Sequence, residues 1–136
     1  MEIPFDRIRA LGDIPATHAG RLRFLATADR SVISTIKFGV LFVMAFWSGP
    51  SRQGFAHLKR ILTTLDPDGR IEVVVVDTDG CPDLYETPEF VGNLHGWGEV
   101  AWVQDGHVVF TSGKGYNPEC FEPFTQQFLA CIQVEY

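Results

Sequence analysis

A chain of 136 residues is about one domain long, and its 46% of apolar residues is enough to close a core. The net charge of −6 disfavours nucleic acid as a partner, and the apolar run from Phe38 to Trp47 falls far short of the roughly 20 residues that span a bilayer. Three cysteines, an odd number without a framework spacing, point to reduced thiols in a cytoplasmic setting.

"MEIPFDRIRALGD" carries acids and a proline with no apolar stretch, so no secretory signal is read there. Charge is unevenly placed along the chain: residues 1–60 hold nine Lys/Arg against four Asp/Glu, and residues 61–136 hold two against thirteen. The simplest consequence is attraction between the halves across a solvated surface. The functional alternative is an acidic face suited to a basic partner.

In chain order, Ile3, Ile8 and Leu11 make a short helical pattern closed by Gly12 and Pro15. "THAGRLRFLATADR" places Leu22, Leu25 and Ala26 on one helical face, while "SVISTIK" fits either a strand or the end of that helix. Residues 39–46 are apolar at every position except the leading glycine, the pattern of a central strand covered on both faces. Gly49-Pro50 breaks that run. From Ser51 a helix is predicted, because Phe55, Leu58, Ile61, Leu62 and Leu65 recur at three- and four-residue intervals. "DPDG" at 66–69 is turn chemistry, and "RIEVVVVDTD" is a second buried strand. Two such strands joined by a helix imply a right-handed parallel crossover.

"CPDLYETPEF" holds one or two helical turns, with Pro82 in a first-turn position and Pro88 ending it. "GEVAWVQDGHVVFTSG" reads as a hairpin turning at Asp105-Gly106. Phe121, Phe124, Phe128 and Ile132 then recur at helical spacing, with Pro123 in the first turn. A parallel βαβ unit followed by an antiparallel ββα unit gives an α/β domain with a mixed sheet and helices on both faces.

This order, with Trp47-Ser48-Gly49-Pro50-Ser51 at the first strand-to-helix junction, resembles the thioredoxin family. The resemblance covers roughly residues 38–132 and is carried by "VLFVMAFWSGPSRQ", "RIEVVVVDTDGCP", "EVAWVQDGHVV" and Gly113 before the last helix. Residues 1–30 have no counterpart in it and read, from their own pattern, as an N-terminal helical extension to a thioredoxin-like domain over 31–136. Redox members of that family look like Trp-Cys-Gly-Pro-Cys at this junction, where one thiolate attacks and the second thiol resolves the mixed disulfide. Ser48 and Ser51 cannot do this, because a serine hydroxyl neither ionises usefully at neutral pH nor forms a disulfide.

Two more family features are missing. Six residues before Ser48, where the family buries an acid, stands Phe42. Where the family places a cis-proline before the hairpin, Gly98 stands, and with it a trans peptide is expected. A laboratory Cys-to-Ser exchange would have left the acid and the proline in place. All three losses together favour natural abandonment of the redox chemistry.

Other chemistries find little support. His57 lies nine residues beyond Ser48, about 13 Å along a helix, too far to act as its base. His95 sits in the loop expected to approach Ser48, but no nucleophile elbow or third partner accompanies it. Serine at this junction is expected to cap the helix. Asp77, Asp79, Asp83 and Glu86 are out of register for a calcium loop and read as end-of-strand acids. Cys81, Cys120 and Cys131 form no Cys-X-X-Cys, and with the four histidines they show no zinc spacing. No catalytic residue, metal or cofactor is therefore expected.

The reading that follows is a redox-inactive thioredoxin-like protein that binds a protein or peptide. Its surface comprises Trp47, Ser48, Gly49, Pro50 and Ser51 with Gly96, Trp97 and Gly98, and Trp102 is assigned to the core. Trp47 and Trp97 are candidate anchors, since partly exposed tryptophans flanking a groove are typical hot spots. One rival is a thiol oxidoreductase using Cys81 or Cys120, or a protein derived from one with a dithiol. Another is a structural, oligomeric role in which the N-terminal segment fills the groove.

Overall fold

The computed structural model describes residues 22–25, 29–44, 49–77, 99–112 and 118–134. Five strands form one sheet: β1 (Leu22–Leu25), β2 (Phe38–Met44), β3 (Glu72–Asp77), β4 (Glu99–Gln104) and β5 (His107–Thr111). Their spatial order is β1-β3-β2-β4-β5. β1 and β2 both run parallel to β3, whereas β4 pairs antiparallel with β2 and with β5. Two α-helices, α1 (Gly49–Leu65) and α2 (Phe121–Val134), and a 3-10 helix at Arg30–Thr35 complete the main framework. Among the described residues no helix is long and apolar enough to cross a membrane.

Strand alternation sends two sets of side chains to opposite faces. Val40, Phe42 and Met44 of β2, Val73 and Val75 of β3, and Val100 and Trp102 of β4 face α1 and α2. The helices answer with Phe55, Leu58, Ile61 and Leu62 of α1 and Phe121, Phe128 and Leu129 of α2. The α1 residues are those whose spacing predicts the helix. Trp102 is fully buried in this layer, and its indole N–H donates to Thr125 Oγ1 at 3.1 Å. A buried indole needs such a partner. Leu41, Val43, Val74, Val76, Ala101 and Val103 face the other way, against Val32, Ile33 and Ile36 from the 3-10 helix and its end. Both faces thus carry helical cover, and the two long helices share one of them.

The N-terminal part departs from expectation. Leu22–Leu25 is not helical but forms β1, in parallel register with Val73–Val76. Four residues are too few for a period to declare itself. What decides is β3, whose backbone groups are buried and need a partner on each side. Arg23 fastens β1 in place, its guanidinium donating to Glu72 Oε1 at 2.8 Å and to Thr35 Oγ1 at 3.1 Å. That ion pair joins the basic first half of the chain to the acidic second half. The sheet therefore begins inside the segment expected to be a helical extension, and residues 1–21 lie outside the described residues. "SVISTIK" resolves to the 3-10 helix: Asp29 accepts from the Ser31 N–H at 2.9 Å, and the Ser34 and Thr35 hydroxyls bond back to the Ser31 and Val32 carbonyls. Such local bonds draw the backbone away from a ladder.

The hairpin turns at Asp105 and Gly106, both with positive φ (52° and 78°), as a two-residue Asp-Gly turn requires. Its amides donate to the Lys37 and Ile36 carbonyls, which fixes the hairpin against the end of the 3-10 helix. The positive φ of Gly106 favours glycine, and a Cβ there would also sit tightly against the Ser34 backbone at 3.2 Å. β5 bulges where pairing shifts from Trp102↔Phe110 to Val103↔Val108, leaving Val109 as the extra residue and 42% exposed. Bulges of this kind blunt an edge strand.

Candidate functional site

Met44 ends β2 and Gly49 opens α1, so four residues, Ala45–Ser48, join strand to helix. Met44 lies in register with Asp77, the last residue of β3, and Val43 in register with Glu99, the first of β4. The ends of β2 and β3 and the start of β4 therefore lie side by side at one edge of the sheet. That edge holds the carboxyl ends of the parallel strands β2 and β3, and the chain goes to opposite sides of β2 to form β3 and β4. Crevices at such switch points are where open α/β sheets receive ligands.

Of the expected binding residues, Trp47, Ser48, Gly96, Trp97 and Gly98 lie outside the described residues, as do His95 and Cys81. Gly49, Pro50 and Ser51 form the first turn of α1. The helix thus begins two residues earlier than its apolar spacing indicates, with Pro50 in the first turn, where its missing N–H is no loss. Among the described residues Asp66–Gly69 closes the far end of α1. The Gly69 N–H donates to the Asp66 carbonyl at 3.0 Å, and the buried Asp66 carboxylate accepts from the Arg70 and Ile71 amides at 3.0 and 2.7 Å.

Phe42 is fully buried on the face that carries α1. Its ring centroid lies 5.1 Å from that of Phe55, and its register partners are Val75 and Val100. The position is a hydrophobic packing site between sheet and helix. Two buried carboxylates lie instead on the neighbouring strands: Asp77, 3% exposed, beside Met44, and Glu99, 1% exposed, beside Val43. Alternation puts Asp77 on the α1 side of the sheet and Glu99 on the other, and each has a bonding partner. Nothing in the sequence marks their burial, since an acid at a strand end ordinarily faces solvent.

The remaining candidates fall elsewhere. His57 stands on α1 with its ring 5.8 Å from that of Phe121 and Nδ1 3.5 Å from Arg60 Nη2, so it belongs to the contact between α1 and α2. Cys120 closes a 3-10 turn, Pro118–Cys120, just before α2. Burial, aided by the negative charge of Glu119, raises its thiol to about 11. A nucleophilic cysteine needs the opposite shift. Cys131 is eleven residues further along, about 16 Å at helical rise, too far to bridge Cys120. Among the described residues no three His, Cys, Asp or Glu side chains gather in a way that could hold a metal ion.

Comparison with solved structures gives matches among thioredoxins. The Schistosoma mansoni thioredoxin is 19% identical, with 79% of this chain and 95% of that one covered and a TM-score of 0.58. Mitochondrial thioredoxin 3 of Saccharomyces cerevisiae is 22% identical, with 82% and 99% covered and a TM-score of 0.57. The Malassezia sympodialis thioredoxin is 19% identical, with 79% and 93% covered and a TM-score of 0.59. No family model and no curated protein matches the chain. At these identities the likeness establishes the fold.

Proposed function

We propose, from the premise of a thioredoxin-like fold, that this protein does no dithiol chemistry and works by binding a protein or peptide at the β2–α1 junction. The observation that carries the proposal is the sequence Ser48-Gly49-Pro50-Ser51 at that junction, with oxygen where the exchange reaction requires sulfur. Phe42 supports it, because six residues before Ser48 stands an apolar ring packed against Phe55, and the buried Asp77 on the same face belongs to β3, beside Met44. Cys120 supports it too: a half-buried thiol raised to about 11 is a poor substitute nucleophile.

A scaffold freed from its chemistry keeps the crevice in which a redox protein would hold its substrate chain. Trp47, Trp97 and the glycines at 96 and 98 supply aromatic anchors and open backbone for such a chain. The reading places the protein in the cytoplasm, with its thiols reduced, as an adaptor, an assembly chaperone or the inhibitory partner of another protein.

The test is selection of peptides from a random displayed library on the immobilised protein. Selected peptides are expected to lose at least about tenfold in affinity on Trp47→Ala or Trp97→Ala, the scale of a hot-spot truncation. Selected peptides that bind both variants as tightly as the parent would place recognition elsewhere and overturn the proposal.

A further inference from the structure

Away from the β2–α1 junction, a groove of about 150 Å³ runs between α1 and α2, lined by His57, Arg60, Ile61, Thr64, Leu65 and Glu122. The five α1 residues follow helical spacing, one stripe about 12 Å long at helical rise. The stripe begins about 12 Å from Gly49. Its base is apolar: Ile61 is buried and Leu65 half-buried, both against the core. The Thr64 hydroxyl is already committed to the Arg60 carbonyl at 3.2 Å. His57 is pinned by its contact with the Phe121 ring.

The charges are what single this groove out. Residues 49–65 contain Arg52, Lys59, Arg60 and His57 but no acid, in a chain whose net charge is −6. Arg60 is exposed, and among the described residues its guanidinium makes only the 3.5 Å contact with His57 Nδ1, at the outer limit of a hydrogen bond. Glu122 is an exposed carboxylate on the α2 side. Both line the groove, and among the described residues neither is in an ion pair. The groove therefore offers a guanidinium fork, an aliphatic base and a carboxylate.

We propose that this groove is a second docking surface, for a peptide segment of a protein partner that presents an aliphatic side chain between an acidic and a basic residue. The partner carboxylate meets the Arg60 fork, a geometry for which two parallel N–H donors suit carboxylate oxygens. The partner's cation meets Glu122. The aliphatic side chain covers Ile61 and Leu65, in a space comparable to the ~150 Å³ cavity that accepts a benzene-sized group. Exposed ion pairs contribute little each, so the interaction is weak and depends on salt. The surface is separate from the β2–α1 junction, and either proposal can fail without the other.

The experiment is a titration of the uniformly 15N-labelled protein with the capped peptide Gly-Glu-Gly-Leu-Gly-Lys-Gly, followed by two-dimensional amide spectra. Saturable shifts are expected at residues 57–65 and 122, with affinity on the order of 1 mM, weakening several-fold as salt rises from about 50 to 500 mM. Arg60→Glu and Glu122→Lys should each weaken binding at least about fivefold while leaving the remaining spectrum dispersed, since both side chains are exposed. The proposal is overturned by any of three results: no saturable shift at these residues up to about 5 mM peptide, equal binding of a peptide with Gln in place of Glu and Lys, or indifference to both variants. Shifts confined to residues near Gly49 and Glu99 would also overturn it, while supporting the junction as the binding surface.

Discussion

Restoring an acid at position 42 asks the structure how far this domain has moved from a proton-handling site. Phe42 has no exposed surface, packs its ring 5.1 Å from that of Phe55 and lies between Val75 and Val100. Removing the ring alone costs about 3–5 kcal/mol, the range for truncating a buried aromatic. A carboxyl left there without a partner adds about 1–3 kcal/mol as a neutral acid. Its charged form is penalised further, so its folded pKa rises above the unfolded value of about 3.9.

The sign follows from proton binding. Between the unfolded and folded values the native state holds the extra proton, so stability falls as pH rises through that window. Below about pH 3 both states are protonated and the penalty of charge vanishes. A rise of about three units, within the range for a fully buried acid, makes the variant about 3.5 kcal/mol worse at pH 8 than at pH 4. Phe42→Asn is the control, being nearly isosteric with the aspartate and unable to ionise. Urea unfolding of both variants against the parent at each pH should show them together near pH 4 and the aspartate variant well below at pH 8. Superimposable curves at pH 8 would mean that the position is hydrated or carries a partner for the charge, and the account of Phe42 as plain packing would be wrong.

Two further outcomes are expected. Asp66→Ala removes the acceptor for two backbone amides at the end of α1, so it should lower stability by about 2–4 kcal/mol in denaturant titration; a loss under about 0.5 kcal/mol would show that water replaces the carboxylate. Cys120, with its thiol raised to about 11 from 9.0, should react with iodoacetamide at pH 7.5 about tenfold more slowly than in the urea-unfolded chain, and faster as pH rises, by peptide mass spectrometry. Rates within a few-fold of the unfolded chain would restore it as a candidate nucleophile.

What the sequence shows and what it hides divide along physical lines. β2, β3 and α1 are legible because burial imposes a pattern long enough to read, seven, six and seventeen residues. The Asp105-Gly106 turn is legible because positive φ restricts residue type. The loss of the site acid at Phe42 is legible by counting back from Ser48. β1 is not, because Leu22–Leu25 is ordered by the exposed flank of β3 and not by its own pattern. Nor is the burial of Asp77 and Glu99, which depends on what packs over the ends of β3 and β4. The groove along His57, Arg60, Ile61, Thr64 and Leu65 depends on where α2 lies, which no local signal in α1 records.

The most direct test of the central claim is insulin reduction with dithiothreitol as the electron donor, run on the unmodified protein and on Ser48→Cys/Ser51→Cys. The unmodified protein should give no precipitation of insulin B chain above the uncatalysed background. Activity in the double variant alone would show that only the sulfur was lost, while inactivity in both would add the Phe42 and Gly98 changes to the barrier. Turnover by the unmodified protein would contradict the account and turn attention to Cys81 and Cys131.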